Sequence, residues 1–596
     1  MSSADVTSLD YLLENEEREY RKFQNLTLRQ SVFRLAKVMV KYRWLFFGGT
    51  VLIVFGTVGA VIEPRIFGYA IDDAILPGRW DRLRWSGLFL TISIGVRIFS
   101  AIQQTYLFEV LGQRVTQDLR LRLFSHLQRL SLALHSKHPP GRLLTRVTND
   151  IASLNEMFSN GFVSMFCNLF LVIGILIGLL LLDFKLGLLS ISIFPVLVLF
   201  SIYFSKKLIL AYQNSRSKLS ALNSYLAENL SGMKILHLFN RQELHYERFS
   251  RLNYWYADAQ TASVRVYAFF QPTITLCAGI SVALVMVVGG QRSLDGTLRL
   301  GVLVTFFSYL MALFQPVREI ADKWNIFLSG MTAAERVFSI LDWPVELESR
   351  KIDHPAQSIP GLKGKIEFEN IWFAYQGENW VLKDFSLTIQ SGERVGVVGH
   401  TGSGKTTLIN LLMRFYDPQR GRVLLDGVDL RDYDLRSLRA SIGMVQQDVF
   451  LFSGTFEENI SFWKPTLSQR VEEVLTELKF ESKADQILLE KGSNFSMGER
   501  QMIAFARALA IHPRIWILDE ATANLDSQTE AVLQKAVNQA SLGKTSLFIA
   551  HRLATVQSAD RIIVLHQGSL IESGSHQELM EIQGLYSRLF KLQLMA

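Results

Sequence analysis

Arg394-Val-Gly-Val-Val-Gly-His-Thr-Gly-Ser-Gly-Lys-Thr-Thr407 is an apolar strand that runs into a glycine-rich turn and then a helix. Gly399, Gly404, Lys405 and Thr406 fill the spacing G-x-x-x-x-G-K-[ST]. In that spacing backbone N–H groups cradle phosphates, the lysine reaches the terminal phosphates and the hydroxyl ligates Mg²⁺. His400, Thr401, Gly402, Ser403 and Thr407 complete the loop. Arg394 to Val398 reads as a buried parallel strand, and Lys405 to Arg414 carries a helical apolar pattern. The loop therefore opens a helix N-terminus, where anions are favoured.

Working outward, the 596 residues divide unevenly. Residues 45 to 322 hold six apolar runs, near Trp44–Ile62, Leu88–Leu107, Phe162–Leu182, Leu186–Tyr203, Ala268–Val288 and Leu300–Val317. Each approaches the roughly 20 residues that cross a bilayer. Residues 365 to 596 read as an ordinary soluble α/β domain. The net charge of +7 is spread along the chain with no arginine-rich block, which excludes nucleic acid as the expected partner and points to membrane-facing loops. Cys167 and Cys277 both fall inside apolar runs and read as small core hydrophobes, neither a disulfide nor a metal pair. Met1 to Tyr20 is polar and acidic, without the basic-then-apolar order of a cleaved signal peptide.

Two long connections, Gly112 to Asn160 and Ser205 to Arg265, are rich in Lys and Arg and read as cytoplasmic continuations of the spanning helices. Arg79, Arg82 and Arg84, on the opposite side, run against that charge rule. Leu26 to Arg43 alternates apolar with basic residues, as an amphipathic helix on the anionic leaflet does, or a solvated helix packed on its own domain. Inside the spans, Arg97 calls for a cavity or an acidic partner, and with Gln103 and Gln104 it is expected to line a translocation cavity. The expected organisation is an N-terminal segment and elbow helix over 1–43, a membrane domain over 44–324, a connector over 325–364 containing Pro344, Pro355 and Pro360, and a nucleotide domain over 365–596.

Within the nucleotide domain, Ile515-Trp-Ile-Leu518 ends in Asp519-Glu520 at the strand edge where ligands bind in open α/β sheets. Asp519 is suited to hold Mg²⁺ and Glu520 to orient and deprotonate water. Thr545 to Ile549 repeats the strand pattern and delivers His551 just beyond it.

With these residues in this order, the chain resembles the ATP-binding cassette (ABC) exporter half-transporters, a six-span helical domain fused to one α/β P-loop ATPase cassette. The resemblance implies ATP and Mg²⁺ as ligands, with Tyr375 stacking on adenine, Gly399 to Thr407 as the Walker A loop, Gln447 sensing Mg²⁺, Asp519 and Glu520 as the Walker B pair, Ala523 to Asp526 as the D-loop and His551 as the switch histidine. It also implies short coupling helices, expected near Thr148–Met157 and Asn229–Phe239, with the Glu490-Lys491-Gly492 turn as their neighbour. The family signature Leu-Ser-Gly-Gly-Gln stands here as Phe495-Ser496-Met497-Gly498-Glu499. In the family's head-to-tail dimer Ser496 and Gly498 would face the γ-phosphate held by the other chain, and Glu499 would put an anion beside it. The resemblance therefore favours a heterodimer with a second ABC half-transporter, placed in the lipid bilayer of the cytoplasmic membrane with the cassette in the cytoplasm and moving a small amphipathic substrate. A homodimeric lipid or peptide exporter and an ATP-gated channel are the alternatives. A soluble cassette ATPase acting on nucleic acid is excluded by the six spans.

Overall fold

The computed structural model describes residues 28–345, 361–478, 486–519, 527–549 and 556–595. Contacts divide it into two compact units, one reaching to Arg129 and resuming over His138–Trp343, the other made of Leu130–Lys137 and the chain from Pro344 onward.

The first unit is helical. Arg43–Ala70, Trp80–Leu127, Val163–Leu182, Phe194–Ser231, Gln242–Leu294 and Leu300–Leu341 are its long helices. Among the described residues, six helical stretches are long and apolar enough to cross a membrane. At about 1.5 Å per residue the 53 residues of Gln242–Leu294 extend roughly 80 Å, far beyond a 30 Å hydrocarbon core. The basic connections are thus helix continuing out of the membrane, as their periodicity predicts. Glycines let the helices meet: Gly49 packs under the Phe108 ring and Gly178 against Tyr309. Asp72 accepts a hydrogen bond from Gly301 N at 2.7 Å and thereby ties the first spanning helix to the start of the sixth. Leu28–Met39 is the basic helix foreseen from its alternation. It buries Leu35 and Val38 and joins Arg34 to Asp342 at 2.8 Å.

Two expectations are corrected. Residues 325–341, read as connector because charges interrupt the apolar run, are the last turns of the sixth helix, whose Ala334 and Val337 are fully buried. Thr148–Met157 lies inside helix that runs on into the third span. The short helix of that connection is instead Leu132–Lys137, and it groups with the second unit through a Leu130–Val345 bridge and a 3.4 Å contact between the Ser136 and Tyr416 hydroxyls. His-Pro-Pro at 138–140 breaks the chain there, since proline ends one helix and starts the next. Met233–Leu238, within the second expected segment, is a short helix set off by Gly232.

In the second unit β1 (Ile366–Ala374) and β2 (Trp380–Ile389) pair antiparallel, and with β4 (Arg420–Leu425) and β5 (Val428–Asp429) they form a four-stranded sheet in the order β2-β1-β4-β5. A six-stranded sheet runs β12-β11-β3-β10-β9-β6, from β3 (Arg394–Gly399), β6 (Ile442–Val445), β9 (Ile515–Asp519), β10 (Thr545–Ile549), β11 (Arg561–His566) and β12 (Ser569–Gly574). Its strands are parallel except β12. β3, β9 and β10 are buried almost throughout, which accounts for their largely apolar sequences. Gly454–Thr455 and Ile487–Leu488 form a small separate ribbon, β7 and β8.

Candidate nucleotide-binding site

The parallel register brings the chemistry to one edge. Ile549 lies opposite both Val397 and Asp519, so β3, β10 and β9 end together. Beyond β3 the loop turns through Gly402 at φ 82° and Gly404 at φ 105°, left-handed conformations that favour glycine. A Cβ on Gly404 would come within 2.9 Å of Leu382, and one on Gly399 would strike the Leu565 carbonyl. The glycines of the motif are therefore fixed by packing as well as by approach to a ligand.

The loop leads into the helix Lys405–Leu412, with Gly404 at its N-cap. Lys405 is 6% exposed, and its Nζ donates to the Gly399 and His400 carbonyls at 2.6 and 3.0 Å, arching over the loop. The buried Ser403 hydroxyl has no partner among the described residues, a donor left over at the floor of the cradle. Thr406 is exposed on the first turn. An ammonium lying over the glycine loop, at a helix N-terminus, forms a site for a polyphosphate. Tyr375 is 40% exposed, and its hydroxyl is tied to that helix by the Thr407 hydroxyl at 3.2 Å and by a hydrogen bond from Asn410 Nδ2 at 2.9 Å. Tyr416 and Phe373 meet its ring edge-on, at centroid distances of 5.1 and 4.9 Å. The aromatic proposed for the base is thus anchored to the element that holds the phosphates. Asn410 and Tyr416 escaped the sequence reading because they belong to no motif, although the helical spacing from Thr407 puts Asn410 on the same face.

Gln447 is exposed two residues beyond β6. The segment after it is strapped by Arg507, whose guanidinium bonds the Asn459 and Phe450 carbonyls at 2.9 and 3.2 Å and lies 4.4 Å from the centre of the Phe462 ring. Burial pushes this group down to about 10. A lone arginine in the apolar run Met502 to Leu509 is the signal that could have found it.

Ser496 caps the helix Met497–Ala510. Its hydroxyl accepts from Glu499 N at 3.3 Å, while the Glu499 carboxylate accepts from Ser496 N and from the Ser496 hydroxyl, both at 2.9 Å. Gly498 is buried on the first turn and Met497 is 47% exposed. The helix N-terminus thus carries its own anion, a capping box closed inside the signature segment. Asp519 stands at the end of β9, whereas Glu520, Ala523 to Asp526 and His551 lie outside the described residues.

Comparison with known proteins fits this geometry. The ABC transporter transmembrane region matches residues 46–317 and the ABC transporter nucleotide-binding family matches residues 382–523. The chain is 36% identical over 557 residues to the uncharacterized ABC transporter ATP-binding protein YknV of Bacillus subtilis, covering 91% of each.

The chain belongs to the ABC transporters.

This transporter is also 34% identical over 534 residues to the ATP-dependent lipid A-core flippase of Syntrophus aciditrophicus, covering 88% of both chains. Its structure matches that of a bacterial Atm1-family ABC exporter with ATP bound at a TM-score of 0.78, with 25% identity over 92% of this chain and 98% of the other. One membrane region and one cassette make it an exporter half-transporter, a multi-pass membrane protein whose soluble cassette binds and hydrolyses ATP within a dimer.

Proposed function

We propose that this half-transporter pairs with a different half-transporter and exports an amphipathic or hydrophobic small molecule, a drug or a lipid, across the cytoplasmic membrane by alternating access. The lipid option has support from the flippase relative and the rest from the apolar membrane domain. In this reading Tyr375 stacks on the base and Gly399 to Thr407 hold the phosphates. Thr406, Asp519 and Gln447 hold Mg²⁺, which supplies charge neutralisation at the terminal phosphates when bound. Glu520 takes the proton of the attacking water and His551 donates to the γ-phosphate.

The observation that carries the heterodimer is the Glu499 carboxylate folded onto Ser496. An intact signature serine would offer its O–H to the γ-phosphate on the facing chain, but here that proton is spent on an internal carboxylate. A homodimer would place this self-capped helix at both sites. A heterodimer confines it to one, and leaves Lys405, Glu520 and His551 to work against an intact partner signature. Purification from the membranes of the native host on a tag carried by this chain tests the pairing. Stoichiometric recovery of a second half-transporter is expected. A stable dimer of this chain alone with substrate-stimulated ATPase activity would refute it.

A further inference from the structure

Arg82, one of the three arginines that break the charge rule, lies with Arg65 at a groove between the first two spanning helices. Gly56 faces Ser100, Gly59 faces Arg97, and Ser93 Oγ donates to Gly59 O at 3.4 Å, which brings the two backbones together. Arg97 and Glu63 close this stretch with an ion pair at 2.7 Å. Beside this stretch a groove of about 810 Å³ opens whose lining includes Ile62, Arg65, Tyr69, Arg82, Trp85 and Phe89. That volume is in the range of small-molecule sites.

Its charge does not balance. Asp73 serves both Arg82, at 3.9 Å, and Arg299, at 3.5 Å. Arg65 has no ion-pair partner among the described residues; Glu63 pairs with Arg97, and Asp72 accepts from Gly301 N. The groove lining itself thus carries two guanidiniums, Arg65 and Arg82, and no carboxylate. Depth separates the polar from the apolar lining. Arg82 lies about 3 Å along its helix from Trp80 and Arg65 about 8 Å from the end of its own, both at headgroup level, whereas Phe89 and Ile92 lie about 14 and 18 Å in. Trp80 and Trp85 sit as interfacial tryptophans do.

We infer that this groove binds an anionic phospholipid of the leaflet away from the long basic connections, its phosphate between Arg65 and Arg82 and its acyl chain along Trp85, Phe89 and Ile92. Charge complementarity selects the lipid: the surplus guanidiniums ask for a net negative headgroup, and the exposed aromatic and aliphatic wall asks for a chain.

Native mass spectrometry of the assembled transporter, titrated separately with dioleoylphosphatidylglycerol and dioleoylphosphatidylcholine, tests this. Retention of phosphatidylglycerol over phosphatidylcholine by at least fivefold is expected. It should fall to within twofold in Arg65→Gln/Arg82→Gln and persist in Arg65→Lys/Arg82→Lys, which keeps the charge and guards against misfolding as the cause. Glycerol 3-phosphate at millimolar concentration should not displace the lipid. Equal retention of the two lipids, unchanged selectivity in the glutamine variant, or displacement by glycerol 3-phosphate would overturn the inference. So would capture of the partner chain, in place of lipid, by a photo-cross-linking residue at position 89.

Discussion

Replacing Glu499 by Gln keeps the shape of the cap and removes its charge. The carboxylate lies 2.9 Å from the Ser496 hydroxyl, and a phosphate oxygen contacting that hydroxyl would sit another hydrogen-bond length away. The two anions would then stand about 6 Å apart. At an effective dielectric constant of 20 each pair of unit charges at that distance costs about 3 kcal/mol, or roughly a hundredfold in affinity. Part of this is screened at physiological salt. The expected gain is therefore about 10- to 100-fold in ATP affinity at the site this signature completes, shrinking as salt is raised. The assay is photolabelling with 8-azido-ATP. Nucleotide at that site is held by the partner's Walker A loop, so labelling of the partner should strengthen in Glu499→Gln while labelling of this chain stays constant. Steady-state turnover should change less than threefold, because the other site is untouched. Unchanged labelling of the partner would refute the charge argument, and an equal gain on both chains would refute the asymmetry.

Other perturbations follow from the same geometry. Tyr416→Ala removes one of the two rings that hold Tyr375 edge-on, worth about 0.5–1.5 kcal/mol, so ATP affinity should weaken about 2- to 10-fold by equilibrium titration. Glu63→Gln strands the Arg97 guanidinium, and a double-mutant cycle with Arg97→Gln, read by thermal unfolding in detergent, should give a coupling of about 1–3 kcal/mol. A cysteine at position 103, in a variant lacking Cys167 and Cys277, should react with a water-soluble thiol reagent in the inward-open state and less once ATP closes the dimer; unreactivity in both states counts against a cavity there. Burial, helped by the charges of Arg470 and Lys544, holds His512 below the usual histidine range. The folded protein thus binds this proton less readily than the unfolded chain. The stability is full above the ordinary value near 6.5 and is lost as pH falls through it towards the folded value. Unfolding midpoints compared between pH 7.5 and 5.5 should fall less in His512→Gln than in the parent.

The strand–loop–helix at Arg394–Leu412 was legible because it is specified locally: a parallel strand buried on both faces is largely apolar, and the loop needs glycine at fixed offsets. The six spans were legible for the same kind of reason, since length and hydropathy set them. What failed was non-local. Charges after Val317 looked like the end of a helix, yet the residues on its other face, Ala334 and Val337, are buried in the bundle and keep it helical to Leu341. The short helix Leu132–Lys137 went unforeseen because it has too few residues for a periodic signal, while its Pro-Pro boundary was readable. Glu499 was identified as a misplaced anion, but its alliance with Ser496 depends on side-chain conformation, which a signature comparison does not contain. Arg97 carried two readings, and the Glu63 pair supplies the acidic partner that its charge required.

The central claim is that this chain supplies the working hydrolytic machinery and a partner supplies the signature that completes it. Turnover by the co-purified pair with Glu520→Gln in this chain alone tests it most directly. Retained ATP binding is expected, with ATPase activity reduced about 10²-fold or more, the typical effect of removing a general base. Hydrolysis at the parent rate would contradict it.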